Sequence, residues 1–578
     1  MFEVKNRILK VIGEEANLNL TDNLDFGDYS TNIALKKKNP KDEANKIKDK
    51  LLNDEDLMKL VEKIEVAGPG FINFWIKKDG LIEELERIAK EKEEYGKSKT
   101  NEGKKVVVEY SSPNIAKPFT VGHLRSTLIG DAIANLLEVI GWKVYRDNHL
   151  GDWGTQFGKL IYMIKRFDSS RAENSLLREP SASSRSFSGS LHDLDLKKLV
   201  NMYVEFHKEA EKDKSLEDRA REEFKKLEQG DVENRKIWKF CIDISMKEFN
   251  HIYSKLGIKF TENEGKGYGE SFFEDKMQPV IKELQDKGLL KEGKEGAKMI
   301  EFPEEKFPPL MILKKDGATL YSTRDLATDK FRLERYGRDV VIVNEVGAEQ
   351  TLYFQQLFEV EKMLNWVKEG QRVHVRHGHF RFKDKKMSTR KGNVIWLDSV
   401  IRTAEEKANR IRLGKASEPA KIDSQVGIGA LKWNELKRDP IGDIIFDWDE
   451  ILNMEGNSGA YMQYTYARTQ SVLEKAKKAK RKTEKNKFEN LDLNSEESDL
   501  MRYLCRFGEI SAIAAKSYSP NIVCNYLYNL AQKYNTFYNK HKMIGSEQED
   551  FRLSLNMAVG QIIKNGLFVL GIDAPNKM

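Results

Sequence analysis

Three things are scarce in this chain of 578 residues: cysteine, long apolar runs and an excess of charge of either sign. Its 3 cysteines, Cys241, Cys505 and Cys524, lie far apart with no CxxC spacing, which argues against a disulfide framework and against a zinc site. A reducing cytoplasm is the compartment this usage implies. No run of eighteen apolar residues occurs, and the opening MFEVKNRILKVIGEE alternates charges where an export signal needs an apolar stretch. A soluble chain that is neither exported nor membrane-spanning is therefore expected. The 98 Lys+Arg nearly cancel the 92 Asp+Glu, leaving a net charge of +6, which is not the profile of a basic arm or an acidic tail. Local charge has to be read instead.

At roughly 100 to 200 residues per domain, the length predicts about three or four domains and excludes a single small binding module. Residues 1–95 read as a small α+β unit, with an amphipathic opening helix, a Lys-rich helix near 40–64 and a hairpin around the GPG turn of IEVAGPGFINFWI. The polar stretch KEKEEYGKSKTNEGK marks the first boundary. From Val106 the pattern becomes strand, loop, helix: Val121, Leu124, Leu128, Ala132, Leu136 and Ile140 recur at helical spacing, with Gly141 at the C′ position. The strand WKVYRDN follows and completes a βαβ unit of the doubly wound kind. Residues 96–425 are thus expected to form a Rossmann-type domain carrying an insertion at about 160–300, helical from about 195 to 256. Strands are expected to return near Met299–Phe302, Met311–Leu313, Val340–Val343 and Arg372–Val375. The Ser-rich stretch from Asp168 to Ser190 reads as a surface loop. After about residue 425 the chain reads as entirely helical, so 426–578 is expected to be a bundle, with Ile522, Tyr526, Leu530 and Tyr534 along one helix face.

The most informative segment is EYSSPNIAKPFTVGHLRSTLIGDA, residues 109–132. A strand ends at Glu109, a polar loop follows, and Gly122 with His123 begins the next helix. A helix N-terminus at the carboxyl end of a parallel strand is an anion site, because free amides and the helix dipole both point at the ligand. Gly122 lets a flat base approach the backbone, and His123 and Lys117 can donate to phosphate. Far downstream, Lys386, Met387, Ser388, Thr389, Arg390, Lys391 and Gly392 form a basic loop suited to clamp a triphosphate.

These segments together resemble a class I aminoacyl-tRNA synthetase, specifically the arginyl-tRNA synthetase family. SSPNIAKPFTVGHLRSTLIG is similar to the family's HIGH signature, and HLGDWGTQFG, DGATLYSTRDLAT, VGAEQ, KMSTRKG, FDWDEILNMEGNSGAYMQYTYAR and NGLFVLGIDAPNKM resemble further blocks along the whole chain. The resemblance implies an α/β class I Rossmann-type nucleotide-binding catalytic domain with a helical insertion, behind a small α+β N-terminal domain that binds the tRNA elbow. An all-α anticodon-binding bundle would end the chain. It implies that L-arginine is activated with ATP and passed to the 2′-hydroxyl of the terminal adenosine of tRNA(Arg). Mg²⁺ would arrive on the ATP with no protein-only metal site, and the enzyme would work as a cytoplasmic monomer with no membrane partner.

By the same resemblance Glu109, Asn114, Tyr321, Asp325 and Gln350 form the arginine pocket. The chemistry agrees: a guanidinium presents five donors in a planar fork with a permanent charge, and Glu109, Asp325 and Tyr321 are acceptors. Lysine, a point charge, would leave acceptors unpaired. Lys117, Thr120, His123 and Lys386 are the implied catalytic residues. Gly122, His123, His377, Gly378, His379, Met387, Ser388, Arg390 and Lys391 are the implied ATP contacts. Two departures from the family pattern stand out: Thr120 replaces the first His of the signature, and Thr389 occupies the place of the final Lys of the second. For RNA, the basic stretch EKAKKAKRKTEKNK, residues 474–487, follows a Tyr-rich segment, and Tyr461, Gln463 and Arg468 are implied contacts, with Phe71 and Asn73 in the first unit. A paralogue that keeps the fold and tRNA affinity without catalysis, and a related ligase for another amino acid, remain alternatives.

Overall fold

The computed structural model describes residues 2–13, 16–21, 23–176, 194–293, 296–382, 395–411, 419–478, 488 and 491–578. The first unit is built on strands β1 (Leu18–Leu20), β2 (Tyr29–Thr31), β3 (Val61–Ala67) and β4 (Phe71–Ile76), in the antiparallel order β1-β2-β4-β3. The expected hairpin is β3–β4, in register from Ala67↔Phe71 to Val61↔Ile76. The expected Lys-rich helix is two helices, Pro40–Leu52 and Glu55–Leu60. Asp54 caps the second by accepting from the Leu57 amide, and the chain turns extended at Val61, earlier than 64. Helical propensity in that stretch yields to cross-strand packing of Val61, Ile64 and Val66.

The catalytic layer is a four-stranded parallel sheet of β5 (Lys105–Glu109), β6 (Lys143–Asp147), β10 (Val341–Gly347) and β11 (Arg372–His377). Its order is β11-β10-β5-β6. The crossover from β5 to β6 is the helix Val121–Val139, buried almost throughout, with the polar Arg125, Ser126, Thr127 and Asp131 buried beside the expected apolar face. Gly141 lies just past its end at φ 91°, in the conformation its placement predicted. After β6 the chain leaves the sheet and re-enters at β10 on the other side of β5. The order therefore reverses between β5 and β10, and ligands of doubly wound folds bind at the carboxyl ends of strands at such a switch.

The excursion between β6 and β10 contains the helices Thr155–Leu176, Leu196–Ala210, Ser215–Glu228 and Val232–Leu256. The expected Ser-rich loop is helical as far as Leu176, and its remainder lies outside the described residues. The strands expected near 299–302 and 311–313 do not rejoin the parallel sheet. They are β8 (Lys298–Ile300) and β9 (Leu310–Leu313), which form a separate antiparallel sheet with β7 (Leu290–Glu292) over its own apolar cluster around Phe273, Ile312 and Leu357. Met311, 37% exposed, shows why: a parallel central strand is covered on both faces, and this one is not.

The last part is a helical bundle whose helices include Gly459–Lys478, Ser495–Leu504, Phe507–Lys516, Asn521–Lys540 and Glu549–Val569. Tyr526, Leu530 and Tyr534 are buried at the predicted spacing. The reading of everything past 425 as helix is corrected at one place: β13 (Ile444–Phe446) pairs in parallel with β12 (Phe380–Phe382). A three-residue apolar run is too short to be told from a helix segment by periodicity alone. The first unit docks on this bundle. The Tyr29 hydroxyl donates to Glu509 Oε2 at 2.8 Å, Arg506 donates to the Thr21 carbonyl at 2.6 Å, and Arg502 pairs with Asp28.

Candidate active site

The loop between β5 and its helix is held in an unusual path. Ser111, Ser112 and Ala116 have φ of 71°, 42° and 56°, left-handed values that non-glycine residues adopt only under constraint. The constraint comes from the inserted helix Val232–Leu256 and the end of β6. Ser245 Oγ accepts from the Ala116 amide at 2.9 Å, Asn148 Oδ1 accepts from the Ser112 amide at 3.1 Å, and the Tyr253 hydroxyl shares a hydrogen bond of 2.7 Å with Ser111 Oγ. Phe119 is fully buried between Phe249 and Tyr253, with ring centroids 5.0 and 5.5 Å away, and its other neighbour is the His123 ring at 5.2 Å. The insertion therefore sets the shape of the signature loop.

At the helix start, His123 Nδ1 accepts from the Thr120 amide at 3.1 Å and lies 3.1 Å from the Thr120 hydroxyl. Burial lowers the His123 pKa to about 4 against that hydrogen bond, with Lys117 pushing the same way. The ring is neutral near pH 7, and with Nδ1 accepting, its proton sits on Nε2. Thr120 thus orients this histidine. Gly122 is exposed, and a Cβ there would meet only the Thr120 hydroxyl, at an ordinary 3.5 Å. Among the described residues nothing requires glycine at 122. At Gly378 the reverse holds: a Cβ would lie 2.6 Å from the Ile441 carbonyl oxygen, so packing against the 439–442 turn explains that glycine.

Lys386, Met387, Ser388, Thr389, Arg390 and Lys391 lie outside the described residues. The chain leaves the described part at Phe382, the end of β12, and returns beside the signature: Trp396 bridges Thr120, and Leu397 donates its amide to the Phe119 carbonyl at 2.9 Å. His377 ends β11, where its Nδ1 meets the fully buried Glu345 at 2.7 Å. Burial lowers the pKa of His377, but Glu345 outweighs it and leaves it raised. Exposed His379 donates its amide to Asp443 at 2.7 Å. Arg125, 1% exposed, ties the signature helix to the same turn by donating to the Pro440 and Gly442 carbonyls at 2.6 Å each.

The expected amino-acid pocket divides in two. Glu109, at the end of β5, is already matched: its Oε2 lies 2.6 Å from Arg332 and accepts from Asn344 at 3.0 Å. Arg332 also pairs with Asp147 at 2.7 Å and Asp329 at 3.2 Å, while Arg372 pairs with Asp329 at 2.8 Å and Glu361 at 3.4 Å. These groups form one buried network under the sheet edge. Glu109 is therefore not a bare acceptor awaiting substrate, as the sequence suggested. Asp325 is different: among the described residues no Lys or Arg pairs with it, and it accepts a hydrogen bond from the Tyr353 hydroxyl. Burial raises its pKa to about 6 against the pull of His149 and of that hydrogen bond, with Glu109 and Asp329 adding repulsion. Tyr321, one turn earlier on the helix Tyr321–Tyr336, is 61% exposed and meets the Tyr353 ring edge-on at 5.0 Å. Gln350 is exposed just before the helix Thr351–Met363, and Asn114 is half-buried where its strand segment bridges Gly151.

Sequence reasoning missed Arg332, Asp147, Asn344, Glu345, His149 and Tyr353. One signal was there: Asp325, Asp329 and Arg332 stand at i, i+4 and i+7, a single helix face with opposed charges.

On the expected RNA side, Arg468 lies between the Tyr464 and Tyr538 rings at 4.8 and 5.0 Å and donates to Asn535 at 2.7 Å. The Tyr461 hydroxyl accepts from the same Asn535 at 2.7 Å. Gln463 is corrected: it is 0% exposed and spends its amide on the Gln425 and Asp573 carbonyls, so it is an internal tie with no face for a base. Asn73 is corrected likewise, being 4% exposed on β4, whereas Phe71 is 39% exposed. Lys475, Lys477 and Lys478 are exposed at a helix end, and the rest of the basic stretch lies outside the described residues.

The chain matches three family descriptions: "tRNA synthetases class I (R), catalytic domain" over residues 84–448, "DALR anticodon binding domain" over 462–578 and "Arginyl tRNA synthetase N terminal domain" over 3–76. An arginine-tRNA ligase of Clostridium botulinum strain Alaska E43 is 37% identical, with 100% of each chain covered. Another, from Clostridium botulinum strain 657, is 40% identical over 89% of this chain and 88% of its own. Among solved structures, the fold is similar to Thermus thermophilus arginyl-tRNA synthetase, with a TM-score of 0.78, 21% identity and 100% and 99% of the two chains covered. Plasmodium falciparum arginyl-tRNA synthetase gives 0.76, 24%, 100% and 98%.

Proposed function

We propose a role for each part of the site from one premise: the chain belongs to the class I arginyl-tRNA synthetase family. It is an ATP-dependent arginine-tRNA ligase that activates arginine and charges tRNA with it. Arginine enters with its guanidinium on Asp325 and Tyr321 and its amino and carboxylate end toward Asn114 and Gln350. ATP lies over Gly122 with its phosphates at the start of the helix Val121–Val139, whose amides and dipole favour anions. The adenine lies toward His377, Gly378 and His379.

In the first step an arginine carboxylate oxygen attacks the α-phosphorus, a P–O bond forms and the bond to pyrophosphate breaks. His123, neutral with its proton on Nε2, donates to the oxygens on which charge grows, and Lys117 adds a fixed positive charge. Lys386, Met387, Ser388, Arg390 and Lys391, which lie outside the described residues, are the further ATP contacts of this reading. Mg²⁺ carried on the nucleotide would neutralise phosphate charge. The site fits an ion held by the phosphates, because His123 and Lys117 are donors suited to phosphate oxygen rather than metal ligands. In the second step the 2′-hydroxyl of the terminal adenosine attacks the arginyl carbonyl and AMP leaves. Neither step requires a nucleophile from the protein.

For RNA, Tyr461, Arg468 and the lysines at 475, 477 and 478 form the anticodon-side contact, and Phe71 contributes at the elbow in the unit of residues 1–95. The enzyme works as a monomer in the cytoplasm. Asp325 carries the reading: a half-buried carboxylate near pKa 6, with no Lys or Arg paired to it among the described residues, is what a pocket for a permanently charged guanidinium requires. The test is aminoacylation of tRNA(Arg) with ATP, Mg²⁺ and each amino acid in turn. Arginine alone should give product. Binding of tRNA without product, or product with another amino acid only, contradicts the reading.

A further inference from the structure

We infer that Tyr353 is a positioning residue of the amino-acid pocket, holding the Asp325 carboxylate and the Tyr321 ring in one geometry and so sharpening selection of a guanidinium over an ammonium. The inference rests on the pocket reading above, in which Asp325 and Tyr321 receive the arginine side chain.

Tyr353 comes from a different helix, Thr351–Met363, from the two residues it touches. Its hydroxyl donates to Asp325 Oδ2, and its ring meets Tyr321 at 5.0 Å and 63°. Behind it, Phe354 lies at 5.5 Å and is itself packed on His374 of β11 at 4.5 Å, so the segment bearing Tyr353 is braced against the sheet. Tyr321, by contrast, is 61% exposed, and the Tyr353 edge is what orders it. With Oδ2 engaged, the carboxylate is fixed in one rotation and offers its remaining lone pairs in a set direction. A planar fork of N–H donors gains from a set direction, whereas an ammonium with three rotating donors does not.

The charged and titratable groups facing Asp325 come from every side: Glu109 at the end of β5, His149 after β6, Glu270 from the turn at 270–276, Asp329 on its own helix and Tyr353. Of these, His149 and the Tyr353 hydrogen bond favour the charged carboxylate. Loss of that hydrogen bond raises the Asp325 pKa further, so arginine use is lost earlier as pH falls.

The experiment is steady-state aminoacylation by the full chain with tRNA(Arg) and ATP across pH, comparing Tyr353→Phe, Tyr353→Leu and Asp325→Asn. Tyr353→Phe keeps the ring and removes only the hydrogen bond. It should raise the arginine KM about tenfold, change kcat by less than about twofold, leave the ATP KM in place and move the acid limb of kcat/KM for arginine to higher pH. Its arginine-over-lysine preference should narrow. Tyr353→Leu, which also frees Tyr321, should raise the arginine KM further. An arginine KM and acid limb unchanged in Tyr353→Phe, beside a raised KM in Asp325→Asn, overturns the role of Tyr353 and leaves the pocket standing. An unchanged KM in Asp325→Asn overturns both.

Discussion

The charged and titratable groups around the parallel sheet fall into two sets that differ in where their partners come from. In one, Arg332 and Arg372 meet Glu109, Asp147, Asp329 and Glu361 inside the protein, and Glu345 meets His377. In the other, Asp325 has no internal Lys or Arg among the described residues, and His123 turns only one nitrogen inward. Both sets lie near the same switch between β5 and β10. The difference separates the groups that build the site from those proposed to meet substrate: a buried charge matched from within is a strut, and Asp325 and the neutral His123 keep bonding capacity for a ligand.

The two sets should break differently. The largest loss of stability is expected at the first. Arg332→Met leaves Glu109 and Asp147 without their cation and Asp329 with Arg372 alone, and should cost about 3–5 kcal/mol, seen as an earlier transition in denaturant unfolding. Next, His123→Ala should slow adenylate formation by about 10²–10³, since it removes a donor to developing charge, and should cost about 0.5–2 kcal/mol of stability through the lost cap at the Thr120 amide, less than Arg332→Met. Asp325→Asn should raise the arginine KM by about 10- to 100-fold without unfolding, because it removes the charge while an amide oxygen can still accept from Tyr353. The smallest effect is expected at an exposed pair between the first unit's end and the bundle: Lys564→Ala, which loses Glu93 at 2.9 Å, should shift the melting temperature by less than about 1 °C. A stable Arg332→Met, or an unstable Asp325→Asn, erases the distinction between the sets.

Much of this architecture was written in local patterns. The spacing of Val121 to Ile140 with Gly141 after it located the crossover helix, and Gly68–Gly70 located the hairpin. What could not be read locally was pairing over long distance. Short runs such as 298–300, 310–313 and 444–446 look alike in sequence, and only their partners decide which sheet they join. The site shows the same limit. Asp325 and Tyr321 were named through the resemblance of DGATLYSTRDLAT to the family, whereas the match of Glu109 to Arg332, 223 positions downstream (332 − 109), depends on strand order and is invisible in the motif around Glu109. Gln463 was a candidate RNA contact by resemblance to the family, but burial against Gln425 and Asp573 is a property of the folded bundle.

The division of charges is tested most directly by the pH dependence of kcat/KM for arginine, measured for the unmodified enzyme and for Asp325→Asn. Asp325 must be ionised to receive a guanidinium, and its pKa in the empty pocket is about 6. The unmodified enzyme should therefore lose kcat/KM as pH falls through about 6, and Asp325→Asn, already weak, should show no such limb. The same acid limb in both proteins would contradict the account, because the group that titrates with arginine binding would then be another.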